Sequence, residues 1–183
     1  MNSSLKSLLV LLTIGVFANA QPLPKTFQQL LNQANMQFTV PPDFISTPII
    51  QNGDVVYDFA IKSKTSSLEI RYRIWPVDKK QKNPNALFEP MIVTMGLNIS
   101  NGKVMKPHPY PTENVKKEFG ADAGSTGLIT TDSDFGKGYI QCMISVIHKD
   151  DVADAYVFYL YNTQDEVMGA ITTEKVYHAL KFK

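Results

Sequence analysis

Two β-rich runs in the second half of this chain constrain its fold more than any other feature. Residues 139–148 and 153–161 are dense in Ile, Val, Tyr and Phe, and a short polar link joins them. Such a link predicts an antiparallel hairpin. Because both runs carry apolar side chains at odd and even positions, neither face of the hairpin suits water. The sequence therefore predicts a central pair of strands with helices or a second layer over each side.

An earlier hairpin is predicted to have one polar face. Residues 55–61 and 68–74 alternate apolar with polar side chains, which is typical of strands buried on one face. Directly opposed side chains point to the same side of a sheet, and this parity restricts the register. One allowed register places Asp58 opposite Arg73 and Lys62 opposite Glu69. Another register, slipped by two, places Asp58 opposite Arg71.

The rest of the pattern supplies helices and shorter strands. Apolar residues at three- and four-residue spacing predict helices over residues 26–36, 85–97, 112–119 and 173–180. Extended pieces are expected at residues 38–40, 45–50 and 124–129, and residues 131–138 are predicted to form a polar, glycine-bearing connection. The predicted class is α+β: an antiparallel β-sheet of about six strands flanked by helices on both faces, an α/β/α sandwich.

The amino-terminal residues predict export. Lys6 precedes an apolar run at residues 8–17, and Ala18 and Ala20 supply the small residues that a signal peptidase reads before Gln21. The run spans about ten residues, whereas a membrane-spanning helix needs about 20. We therefore expect a signal peptide at residues 1–20 and one α+β domain at residues 21–183. The mature protein is expected in the periplasm or outside the cell, without insertion into the membrane.

Charge and cysteine content exclude several classes of partner and site. The chain has 18 basic and 17 acidic residues, and removal of Lys6 with the signal leaves the mature form neutral. It lacks the basic clusters that nucleic acid or anionic lipid requires. Cys142 is the single cysteine, so no disulfide within the chain and no thiolate metal cluster is expected. The sequence has no HExxH, GxSxG, CxxC or glycine-rich phosphate loop, and we expect no cofactor and no resident metal.

His148 has two candidate partners in the second predicted hairpin. Cys142 lies on the same strand face, but six residues of strand separate the two side chains by roughly 20 Å, too far for a nucleophile and its base. Cys142 is therefore predicted to be an inert core thiol. Asp154 lies across the turn from His148, where a structural hydrogen bond would close the hairpin. A catalytic pair is the alternative interpretation.

Acidic side chains gather in two predicted loops: Asp132, Asp134, Asp150, Asp151 and Asp154. Acidic loops suit Ca²⁺. The first loop lacks a later bidentate glutamate, however, and the second lacks the turn glycine of a calcium loop. Solvated, turn-forming carboxylates are the main prediction. A second hypothesis is that Asp132 and Asp134 join His148 and Asp154 in one site.

The polar face of the first hairpin offers two arginines. Arg71 and Arg73 share this face with Glu69, and guanidinium groups recognise carboxylate and phosphate. They form either a surface for an anionic ligand or a salt-bridge face that is solvated or covered by a helix. The candidate binding residues of the whole chain are Arg71, Arg73, Asp132, Asp134, His148 and Asp154.

Several segments resemble known proteins. Residues 118–122, 135–139 and 142–156 are similar to a family of uncharacterised secreted bacterial proteins of the Bacteroidetes type. The order of elements resembles the PsbP/Mog-like fold, with residues 38–44 and 57–59 similar to its opening. Photosynthetic members of that fold bind a photosystem and Mog members bind a small GTPase, so the resemblance implies binding and not catalysis. It implies no site residue.

The sequence therefore predicts an exported, non-enzymatic binding or protein-interaction module whose partner is an unidentified protein or small molecule. The alternative is a small exported hydrolase or ligand-binding enzyme with a site near His148 and Asp154. Burial of His148 in a cleft, within reach of two carboxylates of its proposed site, would favour the enzyme.

Overall fold

The computed structural model describes residues 22–53, 55–78, 80, 85 and 88–183. The predicted signal peptide and its cleavage site lie outside these residues. In chain order the elements are α1 (Lys25–Gln33), β1 (Met36–Phe38), β2 (Phe44–Ser46), β3 (Phe59–Ser63), β4 (Glu69–Pro76), α2 (Phe88–Ile99), β5 (His108–Pro109), α3 (Thr112–Phe119), β6 (Ala123–Thr130), α4 (Ser133–Gly136), β7 (Gln141–Lys149), β8 (Ala153–Tyr161), α5 (Gln164–Thr172), α6 (Glu174–Tyr177) and β9 (Leu180–Phe182).

An antiparallel sheet of seven strands organises the described residues, in the order β2-β3-β4-β8-β7-β6-β5. A separate two-stranded ribbon pairs β1 with β9. The predicted α+β class is confirmed, with one strand more than the six expected. Among the described residues, no helix has the length and apolar character needed to cross a membrane.

Each face of the sheet carries its own core. One face packs against α1, α3, α5 and α6, which contribute Phe27, Val115, Val167 and Val176. The other packs against α2 and α4, which contribute Ile92 and Phe135. The predicted central hairpin, β7 and β8, is buried on both faces and lies between β4 and β6. Helices therefore cover both sides of the sheet, as predicted.

The first hairpin has the predicted parity but not the predicted uniform face. Lys62 lies opposite Glu69, which is the first of the two allowed registers. Strand β3 begins only at Phe59, because the carboxylate of Asp58 accepts the backbone N–H of Ile74 and the chain bends there. Tyr57 consequently packs on the α2 side, whereas Phe59 packs on the α1 side. The prediction that residues 55–61 share one buried face is wrong at this bend.

One other prediction is wrong, and one predicted connection contains a short helix. The expected helix over residues 173–180 is only the short α6, and Leu180 begins strand β9, because pairing with β1 buries both Leu180 and Phe182. The connection at residues 131–138 contains α4, whose Phe135 is fully buried. By contrast, α3 spans residues 112–119 as predicted. It ends at Gly120, which adopts the left-handed conformation at φ 63°.

Candidate functional site

Arg71 lies inside the protein, on the face of β4 that α4 covers. The side chain of Arg71 is 1 % exposed and that of Glu69 is 8 % exposed. Residues two apart on a strand point to the same face, so β4 itself sets the two charges side by side. Nε of Arg71 donates to Oε1 of Glu69 over 2.7 Å. At Arg71 the ion pair therefore runs along β4, whereas the charges of this face were predicted to neutralise one another across the hairpin.

Aromatic rings and a carbonyl complete the surroundings of the Arg71 guanidinium. Its Cζ lies 4.9 Å from the centroid of the Tyr57 ring and 4.8 Å from that of Phe135. Such contacts stabilise a desolvated cation by about 2 kcal/mol. Nη1 donates to the backbone carbonyl of Phe135 over 2.5 Å. Nη2 is buried and has no hydrogen-bond partner among the described residues.

Asp132 holds α4 against Arg71. Its Oδ1 accepts the backbone N–H groups of Asp134 and Phe135 over 3.0 and 2.8 Å, which caps the amino end of the helix. The cap fixes the ring and the carbonyl of Phe135 that contact Arg71. Asp134 is 76 % exposed and lies 4.0 Å from Lys137 at the surface. Asp132 is thus a positioning residue for Arg71.

A cavity of about 400 Å³ lies beside the Glu69–Arg71 pair. Protein pockets that hold small ligands measure roughly 300–1,000 Å³, so this one suits a small molecule or one side-chain-sized group. Basic residues outnumber acidic residues three to one in its lining. The lining residues are Thr47, Ile50, Lys62, Ser67, Glu69, Arg71, Lys137, Gly138, Tyr139 and Asn162.

Tyr139 contributes a protonated hydroxyl to this cavity. Burial, and then the neighbouring Glu69 carboxylate, raise the pKa of Tyr139 to about 12, although Arg71 opposes them. The loop that carries it is closed by Thr131, whose hydroxyl donates to the carbonyl of Tyr139 over 2.5 Å. At neutral pH the Tyr139 hydroxyl is therefore a hydrogen-bonding group and not a base.

His148 forms a second polar cluster on the same face of the sheet. Its ring is buried and stacks on Phe88, with 5.0 Å between the centroids. Nδ1 lies 2.6 Å from Oδ1 of Asp154, and Nε2 lies 2.9 Å from Oδ1 of Asp150. Burial lowers the pKa of His148, but the hydrogen bonds to the two carboxylates outweigh burial and raise it above 6.5. The predicted hydrogen bond between His148 and Asp154 is confirmed.

The four residues of the enzyme hypothesis do not come together. In the β6–β7 register His148 pairs with Ala123, whereas Gln141 pairs with Thr130 at the other end. Seven residues of strand span about 23 Å, so Asp132 and Asp134 lie far from His148. Both nitrogens of the buried His148 ring contact carboxylates, which leaves no ring nitrogen for a substrate.

Arg73 and Cys142 lie outside the cavity lining. Nη1 of Arg73 donates to Oδ1 of Asp58 over 2.8 Å, as the confirmed register predicts. Cys142 is a free, fully buried cysteine, and burial raises the pKa of its thiol. Among the described residues, no three or more His, Cys, Asp or Glu side chains are grouped to hold a metal ion.

The two aromatic residues that contact the Arg71 guanidinium, Tyr57 and Phe135, were not predicted from sequence. A signal for Phe135 was present in the pattern Asp132-Ser133-Asp134-Phe135-Gly136. An aspartate before a short run that ends in glycine is typical of a capped helical turn. The contact of that turn with Arg71 joins positions 64 residues apart, which local patterning does not report.

Comparisons with known proteins give a structural likeness but no family. No protein-family model matches the sequence, and no curated protein matches it significantly. The solution structure of cyanobacterial PsbP (CyanoP) from Synechocystis sp. PCC 6803 is similar to it, with a TM-score of 0.48 and 8 % sequence identity. The match covers 82 % of this chain and 88 % of that one. A likeness at this level carries no information about function.

Proposed function

We propose that the mature protein is an exported, non-enzymatic binding module that takes an acidic group of its ligand into the cavity beside Arg71. The observation that carries the proposal is the buried Nη2 of Arg71, which has no partner among the described residues, on a side chain that lines a cavity with more basic than acidic residues. An unsatisfied buried donor costs about 1–3 kcal/mol. A ligand oxygen that accepts from Nη2 recovers this free energy on binding.

The protonation states of the lining support binding and not catalysis. Arginine stays charged at all working pH values, and Tyr139, with a pKa of about 12, stays neutral. The Ser67 hydroxyl donates to Glu166 over 2.6 Å. That hydrogen bond is the main cause that lowers the pKa of Glu166 to about 2, so this carboxylate is too weak a base to activate the hydroxyl. The hydrolase alternative near His148 and Asp154 gains no support from the geometry.

Export rests on the signal peptide predicted at residues 1–20. Amino-terminal sequencing of the protein recovered from its native host tests this part separately. We expect the sequence to begin at Gln21. A start at Met1, with the protein retained in the cytoplasm, would contradict export and leave the binding proposal to its own test.

Recovery of the native ligand tests the binding proposal. Tagged protein is expressed in its native host and isolated from the envelope and the medium, and whatever stays bound is identified by mass spectrometry after unfolding. The control is the double variant Glu69→Leu/Arg71→Met, which removes both charges of the buried pair. We expect an acidic small molecule or an acidic partner with the wild type and its loss from the variant. Identical bound material on both proteins would refute the proposal.

A further inference from the structure

We infer that the group held beside Arg71 is a carboxylate, and that its ligand is a small organic acid with a second acidic group, a dicarboxylate. This inference rests on the proposed function and names the chemical class of the ligand. It follows from which donors of the cavity are already committed, from the charges at its rim and from its size.

Nη2 is the one nitrogen of Arg71 that has no hydrogen-bond partner among the described residues. Nε already donates to Glu69 and Nη1 to Phe135, which leaves Nη2. Guanidinium groups recognise carboxylate and phosphate alike, so charge decides between the two anions here. Phosphate would bring up to two negative charges next to the Glu69 carboxylate, whereas a carboxylate brings one. The chemistry of this pocket therefore favours a carboxylate oxygen at Nη2.

Two lysines of the cavity lining, Lys62 and Lys137, can contact the second acidic group of the ligand. Lys62 comes from β3, where it lies opposite Glu69, and Lys137 comes from the loop after α4. Glu69 neutralises Arg71, so the two lysines leave the lining with an excess of two positive charges. The existing contact of Lys137 with Asp134 spans 4.0 Å at the surface, and such pairs contribute little stability. A dianion matches the remaining charge.

The volume and the walls limit the body of the ligand. A cavity of about 400 Å³ is at the small end for ligand sites, and a short carbon skeleton with two acidic groups fits in it. Ile50 and the ring of Tyr139 supply apolar surface, while Thr47 and Asn162 supply polar groups. This mixture suits a short, partly apolar acid.

Isothermal titration calorimetry of the mature protein at low salt tests the inference with acetate, succinate and inorganic phosphate as probes. We expect succinate to bind several-fold more tightly than acetate, since its second carboxylate gains a lysine contact, and more tightly than phosphate. Absence of succinate binding, or phosphate binding at least as tight, would overturn the assignment of a dicarboxylate.

Three variants locate the bound acid. Arg71→Lys should weaken succinate binding by at least about tenfold, as expected for loss of a charge-assisted hydrogen bond. Lys62→Gln should weaken it by roughly two- to fivefold, as expected for one exposed ion pair. Lys64→Gln is the matched control. Lys64 is exposed, and its Nζ donates to the carbonyl of Pro42 outside the cavity lining, so binding should not change.

Lys62 is exposed, so its substitution reports on binding even if Arg71→Lys prevents folding. Equal effects of the Lys62 and Lys64 substitutions would place the acid elsewhere and overturn the inference. The outcomes also separate this inference from the proposed function. If native ligand depends on the Glu69–Arg71 pair but is not an organic acid, the dicarboxylate is wrong and the binding module stands. If recovery of the native ligand does not depend on the Glu69–Arg71 pair, both the binding proposal and the dicarboxylate inference are wrong.

Discussion

Replacing Glu69 alone should destabilise the protein strongly, because the substitution strands a buried charge. Arg71 is 1 % exposed and loses its carboxylate partner at 2.7 Å in the Glu69→Leu variant. Loss of one partner of a buried ion pair costs about 3–5 kcal/mol. The contacts of Arg71 with the Phe135 carbonyl and with two aromatic rings remain, so we expect the lower end, about 3 kcal/mol.

Replacing both partners should be far less costly. Apolar side chains in place of a buried ion pair are often neutral or stabilising. We therefore expect the Glu69→Leu/Arg71→Met variant to unfold within about 1 kcal/mol of the wild type. The free energies of unfolding come from urea denaturation followed by far-ultraviolet circular dichroism, for the wild type, both single variants and the double variant.

Two outcomes of this double-mutant cycle would refute the reasoning. A nearly neutral Glu69→Leu variant would show that Arg71 is solvated, which contradicts its burial. A double variant as unstable as the sum of the single variants would show that the two side chains act independently. The expected result is a double variant that is about as stable as the wild type but from which no ligand is recovered. This result would mean that the fold does not require Arg71 and that its charge serves binding.

Three further predictions concern other parts of the fold. The pKa of His148 is raised above 6.5, so the protonated ring contributes its full stability below pH 6.5 and loses it as the pH rises through the folded-state pKa. Urea denaturation should show this loss of stability above pH 6.5 in the wild type and not in His148→Gln. The pKa of Glu166 is lowered from 4.5 to about 2, first by the hydrogen bond from Ser67, so stability is lost as pH falls through that range. Glu166→Gln should lack this loss in acid denaturation, and an unchanged acid limb would contradict the assignment. Gly120→Ala should lower the free energy of unfolding by about 1–2 kcal/mol, because φ is 63° and the new Cβ would lie 3.3 Å from the Phe182 carbonyl oxygen. The new Cβ of Gly53→Ala meets none of the described residues within 4 Å, so this variant should change the free energy of unfolding by less than about 0.5 kcal/mol. Equal losses in the two variants would contradict the argument.

Local periodicity was sufficient for the centre of the fold. Alternation in β3 and β4 restricted the register by parity and left two alternatives open, and the observed pairing of Lys62 with Glu69 is one of them. The two-sided apolar runs predicted that β7 and β8 lie centrally. Both signals are contained within short segments of chain.

Long-range pairing decided the elements that were predicted wrongly. Leu180 belongs to a strand because β1, near the other end of the chain, lies beside it. The bend at Asp58 depends on a hydrogen bond to Ile74, sixteen residues away. Neither partner is visible in a local window, so periodicity extended a helix and a strand too far.

The candidate site was predicted in separate parts. Arg71 was recognised as a residue that suits an anion, and Asp132 as a turn carboxylate, but nothing in the sequence joined them. Their connection runs through Phe135, whose carbonyl accepts from Arg71 and whose N–H is held by Asp132. The same long-range packing separates Asp132 from His148, although one hypothesis from the sequence had placed them in a single site.

The central claim is that a ligand carboxylate lies against Arg71, and a crystal structure of the mature protein grown with succinate tests it most directly. The account predicts a carboxylate oxygen within about 2.7–3.2 Å of Nη2, with the second carboxylate near Lys62 or Lys137. Succinate bound elsewhere, or a cavity that holds only water at saturating succinate, would contradict it.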